Sequence, residues 1–205
     1  MLTFFHAPNS RSSAIATLIE EMGIADRIEK RIVTIPRIDG SGARDPANPH
    51  PEGKAPVLLH DGHVITERGA VMIYLTTLFP GTGMAPAVGT PEWGSFITWM
   101  AWYQGVMEPV LILSAAGVEH PWMHAAIRGV PEVTARVAAA LEKGPWLLGD
   151  TYSAADLLVH SPYAWFDDAT PDIPAVRDWV ERCKARPARQ RQLAIDADLM
   201  RQAAA

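Results

Sequence analysis

The chain has 205 residues, 48% of them hydrophobic and 20% charged, with a formal net charge of −5. That composition excludes long-range disorder, and no run of about 20 uninterrupted apolar residues offers a membrane span. Residues up to 80 carry 8 basic and 9 acidic side chains and the remainder 10 and 14, so neither part has the basic excess that nucleic-acid binding needs.

Met1 to Phe5 is apolar but too short for a secretory leader and has no basic segment before it, so a cytoplasmic protein is expected. The single cysteine, Cys183, excludes an intrachain disulfide and a CxxC redox pair. It sits in a helical pattern and reads as a small buried hydrophobe.

Residues 2–6 are rich in β-formers and predict a strand closed by Ala7-Pro8-Asn9. Ile15, Leu18, Ile19 and Met22 fall at helical spacing, so a helix is expected over 12–22, with Gly23 as its C-terminal cap. A second strand is expected at 28–35. A loop dense in Pro, Gly, Asp and Asn follows from Pro36 to Lys54, long enough to be functional. Strands at 56–60 and 63–66 flank Asp61-Gly62, a hairpin turn signal, and a helix is expected at 67–78. The order is βαβ, then a β-hairpin, then a helix.

Residues 80–91, rich in Pro and Gly, read as a linker. Beyond it the pattern is helical throughout, with helices expected at about 91–115, 121–142, 154–166 and 174–185, and a shorter one over 189–200. The expected fold is therefore an α/β N-terminal domain (1–80) joined through 81–90 to an all-α domain (91–205).

Five constellations carry chemical meaning. Lys54-Ala55-Pro56 opens a strand, and in a unit of this order such a proline resembles the cis-proline of thioredoxin-like folds, which offers the neighbouring backbone to a peptide ligand as an added strand. Glu67-Arg68 stands where a strand gives way to a helix. A carboxylate there either complements the helix dipole or binds a ligand ammonium beside free helix-start amides.

Asn9-Ser10-Arg11-Ser12-Ser13 puts hydroxyls at the first strand-to-helix junction. One of them serves as a cap, and another can face a bound thiol. A thiol of pKa ~8.5 needs about 2.7 kcal/mol to drop by about two units. A hydrogen bond to a charged group gives ~1.5–3 kcal/mol and a helix N-terminus ~0.3–1, so one serine suffices.

Ser153-x-x-Asp156 is a capping-box start to an apolar helix, and its expected role is structural. Among the aromatics of the first long helix, Trp93 and Trp99 are expected to pack. Trp102, Tyr103 and Val106 are expected to form an apolar pocket. The basic run from Arg182 to Arg191 reads as a solvated surface near a helix C-terminus.

Together these segments resemble the glutathione S-transferase superfamily over nearly the whole chain. Asn9–Ser12 through Gly23 is similar to its first strand–helix junction, and Asn48-Pro49 to Leu58 to its NPxGKVPxL segment. Ile65-Thr66-Glu67 through Leu75 is similar to its "ES" helix, and Gly149–Asp156 to its C-terminal signature. Trp99–Pro109 is similar to a W-x-x-Y/F-A-E-G segment of a bacterial and fungal subgroup.

The resemblance implies a serine-type, dimeric, cytosolic enzyme that adds the thiolate of its co-substrate glutathione to small hydrophobic electrophiles, or a peroxidase of the same fold, with no metal, nucleic-acid or membrane partner. It implies Ser10 as the thiolate-stabilising hydroxyl, with Ser12 and the Asn9 amide behind it. Ala55, beside Pro56, would bind the cysteinyl backbone, Glu67 the γ-glutamyl amine and Lys54 the glycine carboxylate, with Arg11 at the same junction.

There are three departures. Arg68 replaces a serine thought to hold the γ-glutamyl carboxylate, and its guanidinium is the candidate substitute. Ala14 stands where arginine is often found, and His50-Pro51-Glu52 is inserted in the NPxG segment. They keep open an alternative, a non-catalytic binding or adaptor protein of the same shape. A thiol-disulfide oxidoreductase with its own nucleophile would need a cysteine within residues 8–13, and there is none.

Overall fold

The computed structural model describes residues 1–204. The chain divides into two compact units, one of Met1–Thr82 with Arg186–Ala205, the other of Gly83–Ala185.

The first unit is built on a four-stranded sheet of β1 (Leu2–His6), β2 (Glu29–Ile32), β3 (Val57–His60) and β4 (His63–Ile65), in the order β2-β1-β3-β4. β1 and β2 are parallel, while β1–β3 and β3–β4 are antiparallel. Helix α1 (Ser13–Glu21) crosses between β1 and β2, and α2 (Arg68–Leu78) follows β4. The expected βαβ–ββα order is thus the observed one. Ile15, Leu18 and Ile19 of α1 and Val71, Met72 and Leu75 of α2 are buried, and burying side chains of this size contributes ~1.5–3 kcal/mol each.

β2 is shorter than the expected 28–35, and all four of its side chains are exposed, as an edge strand allows. At the hairpin, Asp61 (φ 47°) and Gly62 (φ 86°) are both left-handed, as a two-residue turn between twisted strands requires.

The last helix, α10 (Pro187–Ala204), is longer than the expected 189–200 and packs against α1. The segment 91–205 is therefore divided between the two units. Arg186 forms a double hydrogen bond to Glu21 at 2.6 Å each, and Arg191 pairs with Glu20. Ala188, Gln192 and Asp196, four residues apart, are the buried side chains of α10, while Leu193 and Ile195 are exposed.

The second unit is helical: α3 (Pro91–Trp102), α4 (Glu108–Ala115), α5 (Pro121–Ile127), α6 (Val130–Leu141), α7 (Ala154–Val159), α8 (Ser161–Trp165) and α9 (Pro174–Lys184). Three expected helices are interrupted, each for a local reason. Between α3 and α4 the chain makes a π turn, Tyr103–Met107, closed by the Glu108 N–H on the Tyr103 carbonyl. Pro109 would otherwise drive its ring into the carbonyl four residues back and leave it without a donor, and the wider turn relieves both. Arg128, with φ 64° and ψ −147°, separates α5 from α6, and Pro162 starts the new turn that separates α8 from α7.

The centre of this unit is Asp156, which is fully buried. Its Oδ1 accepts from the Leu147 N–H and the Trp179 Nε1–H, both at 2.9 Å, and its Oδ2 from the Ser153 N–H at 3.0 Å and the Ser153 hydroxyl at 3.1 Å. The capping box is present, and its role is structural. Cys183 is buried in the same unit, as expected.

Candidate active site

Each candidate residue of the first unit lies at one end of the sheet. β1 and β3 pair with Phe5 opposite Val57. Continuing that register brings Ala7 opposite Ala55, and Ala55 packs on the small cluster that contains Ala7. β3 and β4 pair with Leu58 opposite Ile65, so the next residues along bring Glu67 beside Pro56. The Ala55–Pro56 bond is cis, in line with the likeness of that proline to the thioredoxin-like one. Among the described residues no hydrogen bond within the protein reaches the backbone of Ala55, which leaves its N–H and C=O for a ligand.

The loop 36–54 forms no helix or strand and is tied by its own polar side chains. The Asn48 amide donates to the Lys54 carbonyl at 3.0 Å and accepts from the His50 N–H at 3.1 Å, and His50 Nδ1 accepts from the Glu52 N–H at 3.0 Å. These bonds hold Lys54-Ala55 in place. Lys54 pairs with Glu52, which raises its pKa, and it also feels the charges of Glu67 and Arg11. The junction loop, the proline loop and the start of α2 thus share one electrostatic neighbourhood.

Glu67 is exposed and has φ 66° and ψ 121°. A non-glycine residue there is strained by ~1–3 kcal/mol, and such strain concentrates at binding sites.

At the β1–α1 junction the serines divide. Ser10 is half-buried. Its hydroxyl donates to the Ala7 carbonyl at 2.7 Å, accepts from the Ser12 N–H at 3.1 Å, and lies 2.9 Å from Ser12 Oγ. Ser12 is 0% exposed. Its Oγ meets His6 Nδ1 at 2.7 Å, the Ala7 N–H at 3.0 Å and the Ala7 carbonyl at 2.9 Å. A ligand sulfur can therefore approach Ser10 and not Ser12.

The Asn9 amide is also committed, donating to Asp196 Oδ2 at 3.0 Å, so it does not stand free behind the thiol. Arg11 is exposed at this junction. Arg68 is only 6% exposed, and a guanidinium closed from solvent does not present itself to a γ-glutamyl carboxylate.

The pocket expected from α3 is corrected too. Trp102 is buried, edge-on to Trp99 at 5.2 Å and capped by the Arg136 guanidinium at 4.6 Å. Tyr103 is buried with its hydroxyl 3.4 Å from Ser161 Oγ. Both are core residues, and Val106 alone of the three is partly open. Trp99 packs as expected, and Trp93 tilts on Phe96 at 5.2 Å.

Two residues at the junction escape a reading of the sequence. His6 and Asp196 are buried, at 0% and 3% exposure, and joined by Nε2···Oδ1 at 2.8 Å. Asp196 also accepts from Gln192 at 2.6 Å and from the Ser13 hydroxyl at 2.5 Å. Burial pushes its carboxyl up, but the bonds from His6 and Ser13, the His6 charge and the Asn9 amide outweigh that and hold it below the usual range.

The family model described as the glutathione S-transferase C-terminal domain matches residues 110–187. An Escherichia coli protein named disulfide-bond oxidoreductase YfcG is 26% identical over 92% of this chain and 92% of its own. A glutathione transferase from Methylococcus capsulatus superposes with a TM-score of 0.72 and 27% identity, covering 96% of this chain and 99% of that one.

The chain is a member of the glutathione S-transferase superfamily.

A sphingomonad glutathione S-transferase, solved as a complex with glutathione, shares the fold at a TM-score of 0.72 and 22% identity, covering 95% of this chain and 98% of that one. The fold is the superfamily's thioredoxin-like α/β region plus a helical domain. Among the described residues no helix is long and apolar enough to cross a membrane, and no cluster of three metal-ligating side chains occurs.

Proposed function

We infer that this superfamily member binds glutathione at the end of its sheet and transfers the thiolate to small hydrophobic electrophiles. The observation that carries the reading is the convergence of three groups that match the tripeptide. A half-buried serine hydroxyl at the mouth of α1 suits the sulfur. The open backbone of Ala55 before a cis proline suits the cysteinyl amide. The Glu67 carboxylate at the start of α2 suits the γ-glutamyl ammonium, and Lys54 suits the glycine carboxylate. Ser10 is the thiolate donor. A hydrogen bond to a charged group is worth ~1.5–3 kcal/mol, or roughly 10- to 150-fold in thiolate population or rate.

A homodimer in the cytoplasm, a detoxifying role, a glutathione-binding part over 1–80 and an acceptor site in the helical part belong to this reading. A solved relative carrying glutathione supports the co-substrate.

A second reading is favoured by the name of the E. coli relative: reduction of disulfides. Cys183 is buried in the helical unit, so the nucleophile would again be the bound glutathione thiolate, attacking a disulfide sulfur and expelling a thiolate. Both activities start from the same ion.

The test is retention on immobilised glutathione, followed by turnover of a generic aryl halide and of a small dialkyl disulfide. Ser10→Ala is expected to lower turnover of either by about 10- to 100-fold with little change in retention. Retention without turnover of either substrate would leave a binding protein. Full activity in Ser10→Ala would remove Ser10 from its role.

A further inference from the structure

His6, Ser12 and Asp196 form a continuous hydrogen-bonded line that ends on Ser10. Asp196 Oδ1 to His6 Nε2 is 2.8 Å, His6 Nδ1 to Ser12 Oγ is 2.7 Å, and Ser12 Oγ to Ser10 Oγ is 2.9 Å. Its inner three members are buried and its outer member is half-buried. A carboxylate, an imidazole and two hydroxyls in this order form a path along which a proton can move without diffusing. A thiolate donor needs none of this, because one hydroxyl suffices.

We propose that Ser10, Ser12, His6 and Asp196 are a proton relay that removes the proton of the bound thiol and stores it on His6. The proposal rests on the glutathione-binding reading above and deepens it.

With His6 Nε2–H donated to the Asp196 carboxylate, Nδ1 accepts from Ser12. A thiol arriving at Ser10 gives its proton to Ser10 Oγ while the Ser10 proton passes to Ser12 and the Ser12 proton to His6 Nδ1. One S–H bond breaks and one N–H bond forms, two hydroxyl protons are exchanged, and no oxidant or reductant takes part. The imidazolium then donates on both sides, and Asp196 balances its charge.

The Ala7 carbonyl, 2.7 Å from Ser10 Oγ and 2.9 Å from Ser12 Oγ, accepts the hydroxyl proton that each arrangement leaves over. When the thiolate's electron pair forms the carbon–sulfur bond, the stored proton returns along the same path to the anion released.

The groups facing the pair come from three elements. α1 contributes Ser12 and Ser13. α10 contributes Asp196 and Gln192, whose amide reaches Asp196 at 2.6 Å and His6 at 3.4 Å. β1 contributes Phe4, stacked on the imidazole at 5.6 Å. Arg37 is the charged group at the adjoining turn, donating to the Pro8 and Asn9 carbonyls at 2.6 and 3.0 Å, where it discourages a second positive charge. The Asp196 carboxylate offsets that, so Asp196 is the positioning residue that makes His6 a base.

The experiment uses the full chain with reduced glutathione. Thiolate is followed by its ultraviolet absorbance against pH, and proton release by calorimetry in buffers of different protonation enthalpy. In the wild type, thiolate should appear with close to no net proton released, and nitrogen-15 NMR should show His6 passing from neutral to doubly protonated.

In Asp196→Asn the bound thiol should become about tenfold harder to ionise, one pKa unit. Turnover should fall about tenfold near pH 6.5 and recover above the free thiol pKa of ~8.5, where no base is needed. The glutathione Kd at the higher pH should be unchanged.

If Asp196→Asn loses thermal stability but keeps the wild-type pH profile, the line is a clamp for α10 and the relay is wrong. An imidazole that stays neutral while thiolate forms in the wild type overturns it without any variant. A wild-type chain that neither binds glutathione nor turns over substrate overturns both this inference and the function on which it rests.

Discussion

Replacing Asp156 with alanine removes the acceptor of four hydrogen bonds in the helical unit. The Ser153 hydroxyl can turn elsewhere, since it already caps the Ala155 N–H at 3.2 Å. The Leu147 N–H, the Ser153 N–H and the Trp179 Nε1–H cannot, because each lies in the interior around a carboxylate that is fully buried. A stranded buried donor costs ~1–3 kcal/mol. Three of them, eased by water entering the space left, give an expected loss of about 4 kcal/mol. Against a typical domain stability of ~5–15 kcal/mol, that leaves the unit marginal or unfolded.

Asp156→Asn keeps one oxygen for Leu147 and Trp179 but turns an NH2 toward the Ser153 N–H. Two donors then face each other, and the loss should be intermediate, about 2 kcal/mol. Urea unfolding read by tryptophan fluorescence measures both, with Trp179 as a reporter inside the network. A loss below ~1 kcal/mol for Asp156→Ala would show that the network is not what holds α7 to α9.

Three further outcomes are expected. Asp196 has its carboxyl held below the usual range, so its contribution to stability is fully present above about pH 4 and is lost as pH falls through the folded value; amide exchange in α10 should accelerate on that descent, and less so in Asp196→Asn. Gly144→Ala would put a Cβ 2.7 Å from the Gly149 carbonyl oxygen, and denaturant unfolding should show a loss of about 1–3 kcal/mol. Glu67→Gln trades a charge-assisted hydrogen bond for a neutral one, so glutathione retention at neutral pH should weaken about fivefold while the melting temperature holds.

The alternation of the strands, the spacing in α1 and α2 and the turn chemistry of Asp61-Gly62 are local, and local patterns carried the α/β region. What the sequence could not reveal was which side of α10 faces inward. Periodicity points to Leu193 and Ile195, yet those are exposed while Gln192 and Asp196 are buried. That helix packs on α1 around a polar line anchored by His6, so the hydrophobic rule inverts.

The same blindness hid the relay, because His6 and Asp196 stand 190 residues apart and neither sits in a motif. Ser12 was legible as a junction hydroxyl, but its inward aim depends on that distant partner. Trp102 and Tyr103 failed for a different reason. The π turn at Tyr103–Met107 shifts the helical phase, and a straight 3.6-residue projection assigns them to the wrong side. The proline responsible, Pro109, lies beyond them in the chain.

One consequence of α10 packing on α1 concerns the order of synthesis. Translation delivers the sheet and its first two helices early, yet the element that covers α1 is made only after the whole intervening unit. Nascent chains fold roughly in the order they emerge. The first unit must therefore wait, with Ile15, Leu18 and His6 sheltered only in part, until the ribosome has passed residue 196. Arrest peptides placed after Ala185 and after Ala204 should differ in protease resistance for that reason, the shorter being cut within residues 1–82.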